Sequence, residues 1–162
     1  MQFLKSINEY IGQYISWLII IMVIVQIVIV LSRYVFGLGF IKLQELMIYM
    51  HGSLFTLAAG YTLLHDEHVR VDSFYRESSK RFKNMVNLMG TITLLLPFII
   101  VTFFMSYPYV SRSWKILEGS PETSGLNATY IYKTTLIIFP ILLFVQAIVI
   151  LFNSIKNLKV KK

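Results

Sequence analysis

An all-α integral membrane protein of four transmembrane helices, with both termini cytoplasmic, is the fold class that this sequence predicts. Three observations carry the prediction. Of the 162 residues only 14% are charged while 56% are hydrophobic, whereas a soluble domain is about a quarter charged. Four apolar stretches each reach the length of about 20 residues that a helix needs to cross the hydrocarbon core. The basic residues are shared unevenly among the segments that join those stretches. A β-barrel does not fit, because its strands alternate apolar and polar positions over about ten residues. Cysteine is absent, which removes disulfides, thiolate catalysis, Cys-ligated zinc and iron–sulfur clusters together.

The spans fall at about 11–32, 44–64, 85–108 and 134–153, in a single membrane domain covering 1–162. The first has no charge and is almost continuously β-branched or Leu from Ile15 to Leu31, and Arg33 closes it. It is retained in the mature chain, because Leu31-Ser32-Arg33-Tyr34 is not a small-residue cleavage site. Ahead of it, Phe3, Leu4 and Ile7 share a helical face, so the first ten residues either lie along the membrane surface or fray. The second span is less apolar. Its small residues Gly52, Thr56 and Gly60 recur every fourth position, on one face where another helix can approach closely. The third holds Pro97 in its middle and Pro108 at its end, which membrane helices tolerate when neighbours satisfy the freed carbonyls. Only Pro140 and Gln146 interrupt the fourth.

With four spans, both termini and the second connection share one side. That side holds Lys5, Arg70, Arg76, Lys80, Arg81, Lys83 and the basic tail from Lys156 to Lys162, twice the number of basic residues on the other side. Basic residues accumulate on cytoplasmic ends, so the termini are placed in the cytoplasm. The net charge of +7 is therefore an orientation signal with room for lipid headgroup contact, and no nucleic-acid partner is expected.

No catalytic, cofactor-binding or metal-binding residue is assigned. Arg33 and Glu45 flank the first short connection and either pair with each other or reach water separately. His51 lies within the second span and His65 and His68 follow it, at a spacing that does not match the HExxH zinc motif. Gln26, Gln146 and Asn87 are amides in apolar runs, and each is expected to hydrogen-bond to a helix of this chain or of a partner.

Specific short motifs sharpen the picture: Arg33-Tyr34-Val35-Phe36-Gly37 at the end of the first span, Gln44-Glu45-Leu46 opening the second, and His65-Asp66-Glu67-His68-Val69-Arg70-Val71-Asp72 after it. Together with the four-span plan they resemble the small membrane subunit, the Q or DctQ type, of tripartite ATP-independent periplasmic (TRAP) transporters. His68, Val69, Val71 and Asp72 fit the family's His-Val/Ile-x-Val-Asp pattern directly, while Gln44-Glu45 stands where the family often has two adjacent acidic residues. The resemblance implies a scaffold subunit in a bacterial inner membrane, with a large permease subunit and a periplasmic substrate-binding protein as partners. It implies import of small organic acids, with substrate and a sodium gradient acting through the large subunit, and no enzymatic activity. Ser120-Pro121-Glu122-Thr123-Ser124, Lys133 and Gln146 look like the group handling mannitol, chloroaromatic or 2-oxo acids. The competing reading is a haem- or quinone-binding anchor of an oxidoreductase, which needs histidines at matched depth on facing spans.

Overall fold

The computed structural model describes residues 2–68, 75 and 78–159, and all regular structure among them is helical. The helices are α1 (Gln2–Tyr34), α2 (Ile41–Leu64), α3 (Lys80–Gly90), α4 (Leu96–Lys115) and α5 (Thr129–Lys159). A π turn, Thr91–Leu95, joins α3 to α4, so that Lys80–Lys115 is one continuous helix. By length and composition, Gln2–Tyr34, Lys80–Lys115 and Thr129–Lys159 are apolar enough to cross a membrane. The expected second span forms as α2 but is not among these three, because Lys42, Gln44, Glu45, His51 and Ser53 dilute its apolar content.

Each helix runs past the apolar stretch that announces it. Residues 2–10 are helical and continue into α1 without a frayed segment, and Asn8, Gly12 and Met22 are buried on one face. Half-buried positions 15, 18, 25, 29 and 32 extend that face, at alternating three- and four-residue steps that keep one stripe of a helix turned to its neighbours. The π turn has a local cause. Pro97 has no N–H, and its ring crowds the carbonyl four residues back. Just ahead of it the Leu96 N–H reaches five residues back to the Thr91 carbonyl, and this wider ring takes up the displacement.

Helix ends are closed by residues in the left-handed region. After α2, Asp66 has φ 63°, with the Glu67 N–H on the Thr62 carbonyl at 3.1 Å and the Asp66 N–H on the Leu63 carbonyl at 3.4 Å. After α4, Leu117 has φ 46°, with the Glu118 N–H on the Ser113 carbonyl at 3.0 Å and the Leu117 N–H on the Trp114 carbonyl at 3.2 Å. Both are paired reverse bonds that satisfy the last carbonyls of a helix. Ser79 caps the start of α3 by accepting from the Phe82 N–H at 3.3 Å.

The hub of the bundle is α5. Within its most apolar stretch 39% of residues are buried, against 6% in α1, and it packs against every other helix. Its Leu143 and Ala147 meet Ile99 of α4 in the core, ringed by Ala59, Leu63, Leu95, Leu96 and Phe139. The small-residue face of α2 is spent inside the chain. A Cβ on Gly52 would collide with the Tyr132 ring, and one on Gly60 with the Asn8 carboxamide and Leu142. Thr56 turns its hydroxyl back onto the Gly52 and Ser53 carbonyls. Asn8 from α1 and Leu142 from α5 therefore meet α2 near its end. Asn157 donates to Asn84 at 3.4 Å, and with the Asn8 contacts this sets the first turns of α1 and the last turns of α5 beside the end of α2 and the start of α3.

Candidate functional site

Two polar constructions occupy opposite ends of the bundle. The first is built on Glu45, one turn into α2. Its carboxylate accepts from the Ser120 hydroxyl and, at 2.5 Å, from the Leu126 N–H. Ser120 in turn accepts from the Glu122 N–H at 2.9 Å, and Gly125 passes so close that a Cβ there would strike Ser120 and the Glu45 carboxylate. One turn further on, Tyr49 bonds Thr129 at 2.9 Å, and Thr129 donates to the Gly119 carbonyl at 2.9 Å. Tyr49 also stacks on Tyr132 with ring centroids 4.8 Å apart. The connection between α4 and α5 is thus held to α2 from both of its ends.

Lys133 fastens the same connection from α5. Its ammonium donates to both oxygens of Glu118, at 2.5 and 2.7 Å, and sits 4.1 Å from the centroid of the Tyr109 ring. The hydrogen bond from Lys133 is the main reason that the Glu118 carboxyl lies below its ordinary value of 4.5. Trp114 donates to Thr134 at 2.9 Å and meets Tyr130 edge-on. Arg33 does not share in this network. It is exposed at the end of α1, and the Glu45 carboxylate is engaged by the loop instead.

At the other end, His65 bonds Glu9 at 2.9 Å and packs on Tyr61. Asn8 is 1% exposed and donates to the Leu142 carbonyl at 3.3 Å. Beside them a cavity of about 680 Å³ opens between the start of α1, the end of α2, α3 and α5, lined among others by Lys5, His68, Asn84, Gln146 and Asn153. Gln146 is buried in α5, and its carbonyl oxygen has no hydrogen-bond partner among the described residues. Asn87 accepts from the Tyr75 hydroxyl at 3.2 Å. His51 is exposed on α2 and tilts against Phe55, so it shares no interior face with His65 or His68. Asp72, with Val69 and Val71 of the same motif, lies outside the described residues.

Gln26 contrasts with the other amides. It is exposed in the middle of α1, with no hydrogen bond to any described residue. Sequence reasoning singled out Glu45 and Gln146 but did not find Asn8, Glu118 or the Tyr49–Thr129 pair. An Asn among ordinary terminal residues and a Glu in a loop carry no local signal, since their partners are remote in the chain.

A helical membrane protein is what this architecture defines, with Glu45, Glu118 and Lys133 engaged in tying down one loop, and with no group of three or more acidic or histidine side chains placed to hold a metal among the described residues. A family model, that of the DctQ component of tripartite ATP-independent periplasmic transporters, matches residues 19–157. The chain belongs to that family, which supplies a component of transporters and is not an enzyme family. No curated protein and no solved structure matches the chain.

Proposed function

We propose that this chain is the small permease subunit of a TRAP-type secondary transporter, a four-span scaffold that serves a large permease subunit and a periplasmic substrate-binding protein. The family match over residues 19–157 is the observation that carries the reading. The internal use of polar groups supports it, because Glu45, Lys133, Glu118, Thr129, Asn8 and His65 are all engaged in holding helices and a loop together. In this role the chain sits in a bacterial inner membrane with α2 as its second span. Both termini are cytoplasmic, in accord with the excess of basic residues beside them. The large subunit holds the small organic acid and the coupling sodium ions, and the binding protein supplies selectivity.

Reconstitution tests this reading. Vesicles containing this chain, the large permease and the binding protein take up a small organic acid under a sodium gradient, whereas vesicles containing this chain alone take up none. Full uptake by the large subunit without this chain would overturn the scaffold role. A Soret absorption band in the purified protein, lost in His51→Ala, would favour the anchor reading instead.

A further inference from the structure

On the surface of α1, positions 19, 23, 26, 30 and 33 follow one another at steps of four and three, the spacing of a seam along which two helices pack with left-handed supercoiling. They are Ile19, Val23, Gln26, Val30 and Arg33, and all five are exposed. About 130° round the same helix, Ile24 and Leu31 present an equally exposed face that is purely apolar. The difference between the faces is chemical. In hydrocarbon an amide has no water to replace its hydrogen bonds, and Gln26 lies on the order of 10 Å below the level of Arg33, at 1.5 Å per residue. Of the other two amides within the apolar runs, Gln146 is buried in α5 and Asn87 accepts from the Tyr75 hydroxyl.

We propose that this seam is the surface on which the chain docks to a transmembrane helix of the large permease subunit, an inference that rests on the transporter reading above. The partner helix presents an amide or hydroxyl side chain opposite Gln26 and a carboxylate opposite Arg33. Charge decides between the possible occupants. A second copy of this chain in the same orientation would set Arg33 against Arg33, a like-charge contact near the membrane surface, whereas a helix ending in a carboxylate neutralises it. The β-branched residues Ile19, Val23 and Val30 are held in few rotamers by the helix, so little side-chain freedom is lost on docking. The Gly52, Thr56 and Gly60 face cannot serve, because α1 and α5 already cover it.

The test uses the co-expressed chain and large permease in native membranes, with a photoactivatable phenylalanine analogue placed singly at 23, 30, 24 or 31. Probes at 23 and 30 are expected to crosslink to the large subunit and probes at 24 and 31 to lipid alone. In detergent, Gln26→Leu is expected to recover about 10-fold less large subunit than wild type, and Gln26→Asn at least half as much as wild type. Because Gln26 is exposed, the helical circular dichroism of Gln26→Leu should match wild type, which separates lost docking from lost folding. Crosslinks from 23 and 30 only to lipid or to a second copy, while the wild-type chain still recovers the large subunit, would refute the seam and leave the transporter reading intact. Failure of the wild-type chain to recover the large subunit would overturn both.

Discussion

Replacing Glu45 by Ala should release the connection between α4 and α5 without unfolding the bundle. The carboxylate receives two hydrogen bonds, from the Ser120 hydroxyl and from the Leu126 N–H. A bond to a charged group contributes about 1.5–3 kcal/mol, and because the site is half-buried the lower figure applies to each. Loss of both is then about 3 kcal/mol, which at 1.4 kcal/mol per factor of ten is roughly a 100-fold rise in the population of the open loop. Hydrogen exchange at the Leu126 amide reads that population directly when reclosing is fast, so its exchange rate should rise roughly 100-fold in Glu45→Ala. Glu45→Gln keeps one carbonyl oxygen for the Leu126 N–H and can donate to Ser120, so its rise should be nearer 10-fold. Amides near Ala147, in the core, should exchange as in wild type. An unchanged Leu126 rate in Glu45→Ala would show that Tyr49, Thr129 and Lys133 hold the loop unaided and that the assigned role of Glu45 is wrong.

Three further outcomes follow from the same contacts. Leu117→Gly should stabilise the protein by about 1 kcal/mol, since a left-handed residue with a Cβ carries a penalty of that size, and a thermal melt in detergent that fell instead would refute the assignment of strain to Leu117. Gly60→Ala should destabilise by about 1–3 kcal/mol through overpacking against Asn8 and Leu142, and Asn8→Ala should recover much of that loss in the double variant, a coupling that a thermodynamic cycle measures. The Glu118 carboxyl is lowered mainly by its hydrogen bond from Lys133, so the stability it contributes is fully present above its ordinary value of 4.5 and is lost as pH falls through the lowered folded-state value. Wild type and Glu118→Gln should therefore differ in melting temperature at neutral pH and converge in acid, and a difference independent of pH would exclude the pair as its source.

Helix centres were legible in the sequence because lipid-facing stretches are continuous and apolar, as Ile15 to Leu31 shows. Helix ends were not. Thr129 to Lys133 is polar enough to read as loop, yet it forms the first turns of α5 because Thr129, Tyr132 and Lys133 each find a partner on another element. The small-residue stripe of α2 announced close packing, but only the fold shows that its upper and lower halves serve different neighbours, Tyr132 of α5 and Asn8 of α1. Glu45 was legible as a charge needing a partner, and Arg33 stood nearer in sequence than the true partners, which lie 75 and 81 residues on. Proximity in the chain is a poor guide where antiparallel helices bring distant loops together.

The π turn before Pro97 has a consequence for the whole third helix. Five residues are hydrogen-bonded in a ring one atom group wider than α-helical, so the turn carries one residue that advances the chain without completing the regular winding. Each residue of α3 is accordingly rephased by roughly 100° relative to α4, compared with an unbroken α-helix. Asn84 and Asn87 line the cavity next to α5 under a helix whose upper part buries Ile99 and Val110. Deleting a single residue between Thr91 and Leu95 would leave composition and length almost untouched and still turn the polar side of α3 toward lipid.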